Sequence, residues 1–105
     1  MITATFIKKN NEYISFSCEG HAEFDDYGKD IVCSAVSMLV INTANSIEKL
    51  TNNKIIGSDK GVLHWEFITT PDEYGRLLMD SMLLGLSDIK KKYGNDYLIL
   101  KIEEV

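Results

Sequence analysis

Two side chains in the first third of this 105-residue chain have the chemistry of a nucleophile and its proton-transfer partner. His21 follows Gly20 where an alternating segment ends, and Cys33 lies three residues beyond Asp30, a residue type that caps helices. In the first turn of a helix, free backbone N–H groups and the positive end of the dipole favour thiolate over thiol. An imidazole folded back against such a thiolate would stabilise it and deliver a proton to a leaving group. The same N–H groups can hold a developing oxyanion. Nucleophile, acid/base and oxyanion donors within residues 20–33 point to cysteine-dependent acyl transfer.

The surrounding residues have two roles open to each. Asp30 can accept from the N–H of Val32 or Cys33 as an N-cap, the favoured role, or it can orient His21. Ser37 falls one turn after Cys33 on nearly the same face, and Ser34 follows Cys33 directly. Ser37 can hydrogen-bond a thiolate or a substrate, or bond back to the carbonyl four residues earlier. The segment 22–29 is a connector by default, but it is acidic and aromatic, with Phe24, Asp25, Asp26 and Tyr27 ahead of Gly28. Beside a nucleophile, such a loop is suited to close over a peptide. Cys18 shares a strand face with Ile14 and Phe16, which makes it a structural thiol. His64, between Leu63 and Trp65, faces solvent or pairs across a sheet.

A net charge of −5 leaves no basic patch to neutralise phosphates, which argues against a nucleic-acid partner and favours a basic protein one. Lys90-Lys91-Lys92 is the single basic cluster and suits the C-terminal end of a helix. Lys8 and Lys9 follow the apolar start rather than precede it, unlike a signal peptide. Residues 31–47 carry no charge, but Asn42, Thr43, Asn45 and Ser46 interrupt a run already short for a membrane span. A cytoplasmic protein with reduced thiols is expected. Two cysteines without spaced histidines do not make a zinc site, and neither a metal nor a cofactor is expected.

These groups must be placed by a small set of elements. Ile2, Ala4 and Phe6 alternate in a strand over 2–8, Asn10-Asn11 turns the chain, and 12–19 alternates again. A helix is predicted from Ile31 to Leu50, apolar round nearly its whole circumference and so buried on most sides. A second hairpin, 54–58 with 62–68, turns at Asp59-Lys60-Gly61. Thr70 as N-cap, Pro71 in the first position and Glu73 start a second helix, which ends at Tyr93 before Gly94-Asn95. A last strand spans Tyr97 to Ile102. The order ββαββαβ predicts a single α+β domain over 1–105, with a mostly antiparallel sheet and two packed helices. In the second helix Leu78, Met79, Met82, Leu83, Leu86 and Ile89 form the core face. Leu77 and Leu84 fall elsewhere, beside Tyr74 and Ser81, and predict a partner, with a twofold homodimer the commonest solution.

Gly20-His21-Ala22, taken with Gly28-x-Asp30-Ile31-Val32-Cys33-Ser34-Ala35-Val36-Ser37, resembles the signature of the ribosomal-processing cysteine proteases, the Prp family. The resemblance implies a Cys–His endopeptidase with Cys33 as nucleophile and His21 as acid/base. It also implies a homodimer acting on the precursor of a large-subunit ribosomal protein, whose N-terminal extension it removes for ribosome assembly and function. Two other classes fit the same residues. A thiol redox-sensing module would use Cys18 as resolving cysteine. A non-enzymatic ribosome-associated binding protein would make Cys33 structural.

Overall fold

A computed structural model describes residues 1–20, 27–58, 63–94 and 96–105. Seven elements follow in the order ββαββαβ: β1 (Ile2–Lys9), β2 (Glu12–Glu19), α1 (Tyr27–Leu50), β3 (Ile55–Ser58), β4 (Leu63–Phe67), α2 (Glu73–Tyr93) and β5 (Leu98–Glu104). The strands form one sheet in the order β3-β4-β2-β1-β5. Its pairings are antiparallel except that of β1 with β5, which is parallel. The fold is α+β with a mostly antiparallel sheet, as the pattern of periods predicts.

Both helices lie on one face of that sheet. Ala4, Phe6, Phe16, Trp65 and Leu98 meet Val32, Val36, Val40 and Ile47 of α1 and Met79, Met82 and Leu86 of α2 in one buried cluster. The alternate positions, Thr3, Thr5, Ser17, His64 and Glu66 among them, belong to the opposite, polar face. At Gly85 the helices approach closely: a Cβ there would come within 2.7 Å of Leu39 Cδ2.

Local chemistry decides the details. Asn10 and Asn11 take φ values of 51° and 63°, the left-handed pair that a tight hairpin turn requires. A register shift between Ile7 and Lys8 then puts Ser15 opposite Ile7 and Tyr13 opposite Lys8. This bulge corrects the expected face of β2. Tyr13, not Ile14, joins Phe16 and Cys18 in the core, with its ring 6.0 Å from that of Phe6. The Tyr13 hydroxyl donates to Asp80 Oδ1 at 2.5 Å and ties the first hairpin to α2.

The start of α2 is also corrected, from Thr70 to Asp72. Asp72 Oδ1 accepts from the N–H groups of Tyr74 at 3.0 Å and Gly75 at 2.9 Å. Asn53 selects it: its Nδ2 donates to Asp72 Oδ1 at 2.8 Å, and its Oδ1 accepts from the Asp72 N–H at 3.0 Å. The Asn53 hydrogen bond, and after it the Gly75 N–H, holds the Asp72 carboxyl below its ordinary range. The far end of α2 lies where expected, with Gly94 at φ 89° and its N–H donating to the Lys90 carbonyl.

Helix α1 departs from expectation twice. It begins at Tyr27 rather than Ile31, and it is not buried on most sides. Val32, Val36, Val40 and Ile47 are enclosed, whereas Met38 is 67% and Ile41 43% exposed. One sheet and one helix cover only one side of a cylinder. Residues Ile31–Leu50, with mean hydropathy 1.4, have the length and composition to cross a bilayer. Here the Val32–Ile47 face is the core of the sheet layer instead.

Candidate active site

Cys18 occupies the last core position of β2, where it pairs with Ala4 of β1 and Leu63 of β4. It is buried, whereas Cys33 on α1 is half-buried and packs against the same core. Both are free thiols. Burial pushes the Cys18 thiol up to about 11, and the neighbouring charges of Cys33 and Glu19 add to the rise. Cys33 packs, partly buried, against the core cluster to which Cys18 belongs.

From that point the chain leaves the sheet through Gly20, which adopts φ 120°. A Cβ there would lie 2.1 Å from the Met1 carbonyl oxygen, so the exit path touches the backbone before β1 and only glycine fits. His21 comes next. His21, Phe24, Asp25 and Asp26 lie outside the described residues, and with them most of the segment read as a substrate loop.

The backbone of Tyr27, Gly28 and Asp30 belongs to the first turn of α1. Tyr27 and Gly28 are therefore helical rather than part of a loop, and Asp30 is not the N-cap. An aspartate is as favourable inside a first turn, near the positive dipole end, as it is in the cap before it. The identity of Asp30 thus could not separate the two positions. Cys33 falls in the second turn, and the free N–H groups are those of residues 27–30. Ser34 is exposed, and Ser37 is half-buried one turn beyond Cys33. His64 does not join them: its Nε2 lies 3.7 Å from Glu66 Oε1. Among the described residues, no cluster of three or more His, Cys, Asp or Glu side chains could hold a metal ion. No sequence pattern marks the cleft that α1 makes with β3 and β4, because it depends on how those strands are ordered beside the helix.

Two of the crystal structures that share this fold hold peptides. That of an essential ribosomal processing protease Prp from Staphylococcus aureus with a covalently linked product peptide superposes with a TM-score of 0.84 at 28% identity, covering 98% of this chain and 100% of that one. That of the S. aureus protease with a substrate peptide gives 0.88 at 26% identity over the same shares. The fold is that of a cysteine peptidase. The ribosomal processing cysteine protease Prp of Bacillus subtilis (strain 168) is 33% identical over 101 residues, 89% of this chain and 90% of that protein. The family described as cysteine protease Prp matches residues 1–98, and the chain belongs to it.

The two thiols should differ in reactivity. Near neutral pH, iodoacetamide is expected to modify Cys33 in the folded protein and to spare Cys18 until the pH approaches 11 or the chain unfolds. Peptide mapping checks this, and equal labelling of both in the folded state contradicts it.

Proposed function

We propose that this chain is a Cys–His endopeptidase that removes the N-terminal extension of a large-subunit ribosomal protein, with Cys33 as nucleophile and His21 as acid/base. One observation carries the proposal: Cys33 packs, half-buried, against the core that holds Cys18 of β2, the strand whose exit glycine leads directly into His21. The relatives' names and the peptide-bound S. aureus structures support the substrate class. A chain of net charge −5 suits a basic ribosomal protein.

In the mechanism, the Cys33 thiolate adds to the scissile carbonyl while backbone N–H donors hold the oxyanion. As the C–N bond breaks, the His21 imidazolium gives its proton to the departing amine, leaving a thioester on Cys33 and a neutral imidazole. That imidazole takes a proton from water, the resulting hydroxide equivalent attacks the thioester, and the thiolate and imidazolium are restored. Asp30, in the first turn of α1, would orient His21, and Ser37 would donate to the thiolate or the substrate. No step requires a cofactor. Burial and the raised pKa of Cys18 weigh against a resolving cysteine, and so against the redox-sensing alternative.

The same reading covers assembly and place. The whole of 1–105 acts as one protease domain in the cytoplasm, where ribosomal precursors are made. Leu77 at 64% exposure, Leu84 at 65% and Tyr74 at 59% line one side of α2, and Met38 emerges from α1. Apolar faces of this kind are what a twofold homodimer covers.

Cys33→Ala should abolish cleavage of the extended precursor with the fold retained. His21→Ala should lose on the order of 10²- to 10⁴-fold, and Cys18→Ser should stay active. Mass analysis of the products decides: wild-type cleavage by Cys33→Ala overturns the assignment. Sedimentation at micromolar concentration should give twice the monomer mass, and a monomeric particle would remove the homodimer.

A further inference from the structure

Beyond Cys33, the same side of α1 leads into a cleft. Cys33, Ser37, Ile41, Ala44 and Glu48 recur at three- and four-residue spacing and so share one helix face. At Ile41, Ala44 and Glu48 that face borders a cleft of about 160 Å³, closed on its other side by Ile55, Leu63 and Trp65 of β3 and β4. An apolar cavity of roughly 150 Å³ is large enough to hold benzene. This one has room for a single large aliphatic or aromatic side chain.

Trp65 shows what else the occupant must bring. The residue is 3% exposed, and its ring is held 4.9 Å from that of Phe16. Its indole N–H is buried and has no acceptor among the described residues. A buried donor without an acceptor is costly and uncommon, and it marks a place where something else supplies the acceptor. A peptide carbonyl next to an apolar side chain would do so. Glu48 at the margin adds a negative charge that favours a basic chain.

We propose that this cleft is a distal subsite of the protease, taking an apolar side chain of the substrate four or five residues from the scissile bond, with the adjacent peptide carbonyl accepting from Trp65 Nε1. The proposal rests on Cys33 being the nucleophile. The register follows from helix geometry. A rise of about 1.5 Å per residue puts Ile41 about 12 Å and Ala44 about 16 Å along α1 from Cys33. An extended peptide advances about 3.3 Å per residue, so four or five residues span that distance.

Trp65 is the sole tryptophan of the chain, so its emission reports on this cleft alone. The probe is a synthetic peptide spanning the extension and junction of the ribosomal protein, added to the Cys33→Ala variant. Binding is followed independently by anisotropy of a terminal label. Saturation should shift the Trp65 emission. Replacing the apolar residues four and five positions from the junction, on whichever side carries them, by serine should remove the shift and weaken binding by about tenfold or more. In the active enzyme, Ala44→Leu, which fills the cleft, should raise KM for the long peptide by a similar factor. Anisotropy that saturates with no change in emission, or serine-substituted peptides that bind as the parent does, would overturn the subsite. Failure of the wild-type enzyme to cleave the precursor would instead overturn the assignment of Cys33. The two failures are therefore distinguishable.

Discussion

The structure depends on a mismatch between a helix that is apolar round most of its circumference and a two-layer fold that can enclose only one of its sides. Val32, Val36, Val40 and Ile47 go under, against the sheet and α2, and each buried side chain of this kind contributes about 1.5–3 kcal/mol. With those four rows fixed, the rotation of α1 is fixed too. Cys33 then lies at the margin of the core, while Met38 and Ile41 are left outside. The position of the thiol and the unpartnered apolar surface share one cause.

The two cysteines show how placement divides their chemistry. Cys18, in the last core position of β2, behaves as a small hydrophobe with its thiol pushed up by burial. Cys33 is only half-enclosed, packed against the edge of the same core, while the chain leaves β2 through Gly20. Gly20 makes that exit possible, since a side chain at this point would collide with the Met1 backbone. The requirement is steric and sits one residue before His21.

Features encoded by local chemistry were legible from the residues alone. The Asn10-Asn11 turn, the core and exposed faces of α2 and its end at Gly94 need no knowledge of the rest of the chain. Gly20-His21 and the segment around Cys33 were legible as a motif of the family that matches residues 1–98. Where two neighbouring positions satisfy the same local rule, tertiary contacts choose between them. Thr70 and Asp72 are both good caps, and Asn53, nineteen residues before Asp72, selects the second. Asp30 suits a cap and a first turn equally, and α1 extends back to Tyr27. Period-two alternation chose Ile14, and the bulge opposite Lys8 substituted Tyr13. The cleft at Trp65 had no local signal, because it exists only once β3 and β4 lie beside α1.

The central claim, that Cys33 carries the acyl group, is tested most directly by trapping the intermediate. A junction peptide mixed with the wild-type enzyme is quenched in acid within the first turnover, and the protein is weighed intact and then mapped. The account predicts an adduct with the mass of the peptide's N-terminal fragment, joined as a thioester to Cys33 and released by hydroxylamine. Turnover without any such adduct on Cys33, or an adduct on Cys18, would contradict it.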